Sequence, residues 1–194
     1  MTTFHTSLTE ALTVLSSLNN LAEPLSQASL LVVNALRGEH KILVCGNGGS
    51  ACEAQHLAGE LVGRYKRDRR PLAAIALNAD GAILSCIGND YQFEDVFSRQ
   101  LEALGRKGDL LIVFTTSGKS PNVTAALRAA RQLGIFSIAF IGRDGGAAMP
   151  LADHSVVVPH DATNRIQEAH HFLLHCLMDQ IEVGLGIDGE GTTR

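Results

Sequence analysis

Five short apolar runs, residues 41–45, 72–77, 110–114, 136–141 and 155–158, alternate with longer stretches whose apolar residues recur at helical intervals. A parallel strand pair needs a crossover of about a dozen residues or more, and the intervening stretches supply it. Runs such as "ILVC", "LLIVF" and "IAFI" are apolar without alternation, so both faces of the sheet they form must be covered. The pattern predicts an α/β fold, a doubly wound five-stranded parallel sheet with helices on both faces.

Residues 1–38 precede the sheet. Leu8, Leu12, Leu15, Leu18, Leu21, Leu25, Leu30 and Val33 lie at helix-like intervals there, and Pro24 marks a break between the two arms of a helical hairpin. No linker or repeat divides the chain, so residues 1–194 read as one domain, with residues 184–194, rich in glycine and polar groups, as a flexible tail. A chain of this length with 45% apolar residues can build a core without staples. Cys45, Cys52, Cys86 and Cys176 lack metal-type spacing and read as reduced structural residues. No run is long enough to span a membrane, and residues 1–20 lack the pattern of a signal segment. A net charge of −4 gives no attraction for nucleic acid, and the basic cluster at residues 64–70 reads as a solvated loop whose Arg64 could face an anion. The expectation is a cytoplasmic protein with neither nucleic-acid nor membrane partners.

In an open parallel sheet, ligands gather at the carboxyl ends of the strands, where helix starts favour anions. The turn Gly46-Asn47-Gly48-Gly49-Ser50 stands there, with glycines for close approach, an amide from Asn47 and a hydroxyl from Ser50. A second loop, "TTSGKSPN", puts Thr115, Thr116, Ser117 and Ser120 around Gly118, ahead of a helix over residues 123–133. A cap needs one hydroxyl; four, with Lys119 and helix-start amides, suit a phosphate. Neither loop has the spacing of the dinucleotide fingerprint or the P-loop, so a small phosphorylated ligand is expected and a nucleotide cofactor is not.

The helix after the first loop places His56 and Glu60 four apart, on one face. Leu57, Leu61 and Val62 form a separate apolar stripe. A last helix over residues 165–183, capped at Thr163 or Asn164, buries Ile166, Ala169, Leu173, Leu177 and Ile181 and carries Gln167, His171, Leu174, His175 and Met178 on a second face. Gln167, His171 and His175 are spaced at fours, and spacing does not choose among them. His56, Glu60, His175 and Gln167 make a donor set that suits zinc, although Gln167 and His175 are about 12 Å apart along an ideal helix axis.

The motifs "CGNGGS", "AQHLAGELVGRY", "SCIGNDYQFEDVFSRQ", "TTSGKSPN" and "NRIQEAHHFLLH", in this order, resemble the phosphoheptose isomerases of the sugar isomerase (SIS) family over nearly the whole chain. The resemblance implies a homotetramer with active sites at subunit contacts, and conversion of D-sedoheptulose 7-phosphate to D-glycero-D-manno-heptose 7-phosphate for activated heptose in lipopolysaccharide or related glycans. It puts the acid/base pair on Glu60 and His175 and zinc on His56, Glu60, Gln167 and His175. Substrate contacts fall on Asn47, Gly48, Gly49, Glu60, Asn89, Asp90, Thr115, Thr116, Ser117, Ser120 and Gln167. Moving a proton between adjacent carbons through an enediol needs one group at carbon and another at oxygen, for which a carboxylate and an imidazole are suited; Glu60 is assigned as the base. Lys119 and His171 depart from the family pattern. The competing readings are a non-catalytic SIS protein of the replication-initiator-associating type, an isomerase of another sugar phosphate, and a doubly wound protein without a ligand. Retention of both Glu60 and His175 favours the enzyme.

Overall fold

The computed structural model describes residues 2–187. Five parallel strands, β1 (Ile42–Gly46), β2 (Ala74–Ala76), β3 (Leu110–Thr115), β4 (Phe136–Gly142) and β5 (His154–Val158), form one sheet in the order β2-β1-β3-β4-β5. The chain winds outward in one direction from β1 to β2 and in the other from β3 onward. The switch between β1 and β3 opens a crevice at their carboxyl ends.

Successive strand residues feed opposite layers. Ile42, Val44, Ile112, Phe114, Ile138 and Phe140 pack under α2 (Ala22–Arg37), α3 (Gly49–Val62) and α7 (Thr163–Gly184). Leu43, Cys45, Leu111, Val113, Ala139 and Ile141 pack under α4 (Gly81–Asp90), α5 (Ser98–Leu104) and α6 (Pro121–Leu133). The sheet is apolar on both faces because both faces are core.

Local chemistry sets the helix ends. Asp80 caps α4 by accepting from the amides of Ala82 and Ile83 at 2.8 and 3.0 Å. Pro121 opens α6, where its missing N–H costs nothing, and Gly134 closes it in the left-handed conformation with φ 69°.

Several expectations are corrected. Pro24 does not separate the N-terminal helices: α1 (Thr3–Ser17) ends in a 3-10 turn at Leu18–Leu21, and Pro24 sits inside the first turn of α2, where a proline is tolerated. Both helices pack chiefly on α7. The second strand shrinks from residues 72–77 to Ala74–Ala76, because an edge strand has one neighbour to bond. Residues 81–104, to which the sequence reading assigns no element, hold α4 and α5. Gly184 closes α7, and the expected tail lies outside the described residues from residue 188 on. Only Cys45 is a buried cysteine; Cys52 and Cys86 are exposed and Cys176 is half-buried, all as free thiols. Among the described residues no helix is long and apolar enough to cross a membrane.

Candidate active site

The crevice at the switch point is a cleft of about 300 Å³ lined by Asn47, Gly48, Gly49, Ser50, Phe114, Thr115, Thr116, Ser120, Thr163 and Gln167. Gly48 has φ 57° and ψ −123°, a conformation that a side chain would strain. A Cβ at Gly49 would collide with the amide of Gln167, so the glycine lets α7 close onto the loop. Three helices, α3, α6 and α7, begin at this cleft, and none has a side-chain cap. The Ser50 and Ala51 amides of α3 already donate to the Asn47 and Gly48 carbonyls at 3.0 Å and Pro121 gives α6 no first N–H, so the pull of the cleft on an anion comes from the dipoles of the three helices and from the start of α7.

The hydroxyls of the second loop divide their roles. Thr115 is buried and its Oγ1 accepts from the Gly118 amide at 3.2 Å; Ser117 Oγ accepts from the Lys119 amide at 3.2 Å and does not line the cleft. Ser120 occupies the cap position of α6 without making a cap bond, which leaves its hydroxyl to the cleft. The Asn47 amide, read from sequence as a ligand donor, is engaged in a reciprocal pair with Asn122, each donating to the other at 2.8 Å. This pair ties the two loops together. Asn122 was missed, although it continues the buried stripe of Ala126 and Ala130 one turn back and is a polar residue on a core face. Ser50 and Thr163 also line the cleft; Thr163 is the first helical residue of α7, with Ala162 at the cap position instead of Thr163 or Asn164.

Beyond the cleft α3 and α7 lie side by side, with Gly49 facing Gln167, Glu53 facing His171 and His56 facing His175. His56 Nε2 is 3.2 Å from Glu60 Oε1 and 3.1 Å from His175 Nε2. Tyr65 stacks on the His175 ring with centroids 5.8 Å apart. Burial, assisted by the neighbouring His171 and His56, pushes the His175 pKa below the usual histidine value, with Glu60 and Glu53 opposing. Its ring is therefore neutral at pH 7 and able to accept or relay a proton. His171 joins the same group, with Nδ1 2.8 Å from Glu53 Oε2. Leu174 and Met178, assigned to this face, are in the core, whereas Val62 of the predicted apolar stripe on α3 is exposed. His170, next to His171, is wholly buried against Phe114 and Phe140, and burial brings its pKa down to about 4.

Arg69, taken from sequence as part of a solvated basic loop, is 3% exposed in its side chain. It donates to the carbonyls of Glu60 and Leu61 at 2.6 and 2.9 Å and lies 3.4 Å from Glu182 of α7. It thereby caps the end of α3 at the turn that carries Glu60. Asn89 and Asp90 stand exposed at the end of α4, bonded to each other at 2.8 Å and outside the cleft lining.

Ligand atoms of His56, His171 and His175 lie within 4.8 Å of one another. Two nitrogens at a tetrahedral zinc stand ~3.3 Å apart for Zn–N bonds of ~2.0 Å. The spacing of His56 Nε2 from His175 Nε2 is close to that value, so the imidazoles fit such an ion, whereas Glu60, 3.2 Å from His56 Nε2, lies outside the group of mutually close ligand atoms.

The SIS domain model matches residues 6–142. Among curated relatives, phosphoheptose isomerase of Helicobacter pylori (strain P12) is 51% identical over 166 residues, 86% of each chain. That of Bordetella avium (strain 197N) is 50% identical over 177 residues, 90% of each. Among solved structures, the phosphoheptose isomerase of Neisseria gonorrhoeae superposes with a TM-score of 0.89 at 42% identity, covering 93% of this chain and 97% of that one. That of Francisella tularensis gives 0.90 at 36% identity, covering 94% and 100%. The chain belongs to the phosphoheptose isomerase family of SIS-domain proteins.

Proposed function

We propose that this protein is an aldose-ketose isomerase that converts D-sedoheptulose 7-phosphate to D-glycero-D-manno-heptose 7-phosphate, the entry step to activated heptose. The observation that carries this reading is the continuity of α3 and α7: their uncapped starts border the anion cleft, and their next turns hold Glu60, His56 and His175. The substrate phosphate sits at the helix starts, fixed by Ser120, Thr116 and Ser50 of the cleft lining. Gly48 and Gly49 let the sugar approach the backbone, and Gln167 bonds a sugar oxygen.

The carbon chain then extends toward Glu60 and His175. Glu60 takes the carbon-bound proton and returns it to the adjacent carbon, while His175, neutral at pH 7, relays the proton between the two oxygens. Net atoms are unchanged, as an isomerisation requires. A zinc ion would be held by His56 and His175 beside Glu60, and the family resemblance implies Gln167 as a further ligand; when bound, the ion would supply electrophilic pull on the carbonyl oxygen. Exposed Phe4, Leu8 and Leu12 on α1 suit burial against further copies in a homotetramer, where Asn89 and Asp90 meet the sugar from a subunit contact. A phosphorylated sugar does not cross a bilayer unaided, which supports a reaction in the cytoplasm, where sugar phosphates are made.

The test is NMR of sedoheptulose 7-phosphate with the purified protein in deuterated water. Turnover with solvent deuterium entering the product is expected, with a drop of at least ~100-fold in Glu60→Gln and in His175→Ala. No turnover by the zinc-supplied, folded wild type would remove the heptose assignment.

A further inference from the structure

The family pattern gives the metal two imidazoles, and this chain brings three together. His171 stands one helical turn before His175 on α7, and the three rings of His56, His171 and His175 meet edge to face with centroids 4.6–5.1 Å apart. One ligand atom from each falls within 4.8 Å of the others. Gln167 lies a further turn away, against Gly49 and in the lining of the anion cleft.

The tautomer of His171 is fixed from outside the group. Its Nδ1 lies 2.8 Å from Glu53 Oε2, and Glu53 is a carboxylate only 9% exposed on the facing side of α3. A carboxylate accepts and cannot donate, so Nδ1 is the donor of this bond and Nε2 is the nitrogen left for a ligand. A carboxylate-bonded imidazole with its second nitrogen free, beside two further imidazoles, is the arrangement of a metal ligand with its orienting partner. A simple Glu53–His171 ion pair would account for the 2.8 Å bond; it would not account for two other imidazoles gathered against the same ring.

We propose that His171, oriented by Glu53, is a ligand of the metal site that contains His56 and His175. The site is thereby a three-histidine centre beside Glu60, and Gln167 is released to the substrate. The inference rests on the reading that the α3–α7 face binds a divalent metal, and it does not depend on which sugar is isomerised.

Metal-stripped protein is titrated with Co(II), the visible d–d absorption is recorded, and Zn(II) affinity is measured by competition with a chromophoric chelator. Wild type, His171→Ala, His171→Gln, Glu53→Gln and Gln167→Ala are compared, with circular dichroism and thermal melting as checks of folding. Loss of His171 should weaken Zn(II) binding at least ~100-fold and change the Co(II) band. Glu53→Gln should weaken it roughly 10-fold with the band retained, the size of loss found for outer partners of metal ligands. Gln167→Ala should leave both readouts near wild type. Wild-type affinity and band in both folded His171 variants would overturn the proposal, as would a wild type that binds no Co(II), and loss in Gln167→Ala alone would return the fourth ligand to Gln167. Turnover of sedoheptulose 7-phosphate is scored separately. A His171-dependent metal site in a protein without turnover would sink the isomerase reading and leave this one standing.

Discussion

Asp109 is 3% exposed and stands at the start of β3, where it accepts from the Lys41 amide at 3.0 Å, the Arg106 amide at 2.8 Å and the Lys41 ammonium. Burial opposes its charge, but these bonds outweigh it and hold the carboxyl below its ordinary value of 3.8. As pH falls through 3.8, the unfolded chain takes up the proton first, so it binds more protons than the native state and stability falls with pH. Above that value the contribution is complete. Asp109→Asn should cost about 2 kcal/mol at pH 7 and flatten the acid limb of stability, read by urea unfolding between pH 3 and 7. Neither Asp109 nor its role was legible, since Lys41 is 68 positions away and only the pairing of β1 with β3 brings them together. His56 and Glu60 were legible as a pair because a helix imposes the spacing on its own residues. The Glu53–His171 bond was not, because it depends on the register between two helices more than 100 residues apart.

At the scale of elements, α3 carries the most function for its length: it opens at the anion cleft, presents His56 and Glu60, and ends on Arg69. The Arg69–Glu182 pair is buried on both sides, at 3% and 5% exposure. Truncating one member leaves the other charged, desolvated and alone, which costs more than the pair itself contributes. Arg69→Ala should lower stability by about 3–5 kcal/mol, and Arg69→Met combined with Glu182→Met should recover most of that loss, both measured by denaturant unfolding. Turnover by the stable double variant should still fall, because the last turn of α3 loses the donors that hold Glu60 in place. The basic run at residues 64–70 gave no hint of this. Charge clusters in sequence read as solvated, and the burial of one arginine is decided by a glutamate on the final helix.

Among the described residues, α1 leaves an apolar stripe uncovered. Phe4, Leu8 and Leu12 recur at four-residue intervals on α1 and are 69%, 46% and 56% exposed, whereas Val14 and Leu18 near its end are buried. Burial of that stripe between copies would remove it from water, and a Leu8→Glu/Leu12→Lys variant should sediment as a smaller species than wild type while keeping its helical circular dichroism. An unchanged mass would remove α1 from the interface.

What the sequence determined by itself is the material governed by short-range periodicity. The five strands, the double covering of the sheet, the two loops at strand ends and the i,i+4 group on α3 all follow from residues close to one another along the chain. Even there, Pro24 misled, because a proline inside a first turn and one between two helices differ only in where the helix begins. The tertiary structure decided everything that needs two distant segments in contact. It put Asn122 against Asn47, spent Ser117 on its own loop, set the starts of three helices around one cleft and brought His171 to His56 and His175. Those outcomes depend on the switch in winding between β1 and β3 and on the register of α7 against α3, neither of which any local pattern encodes.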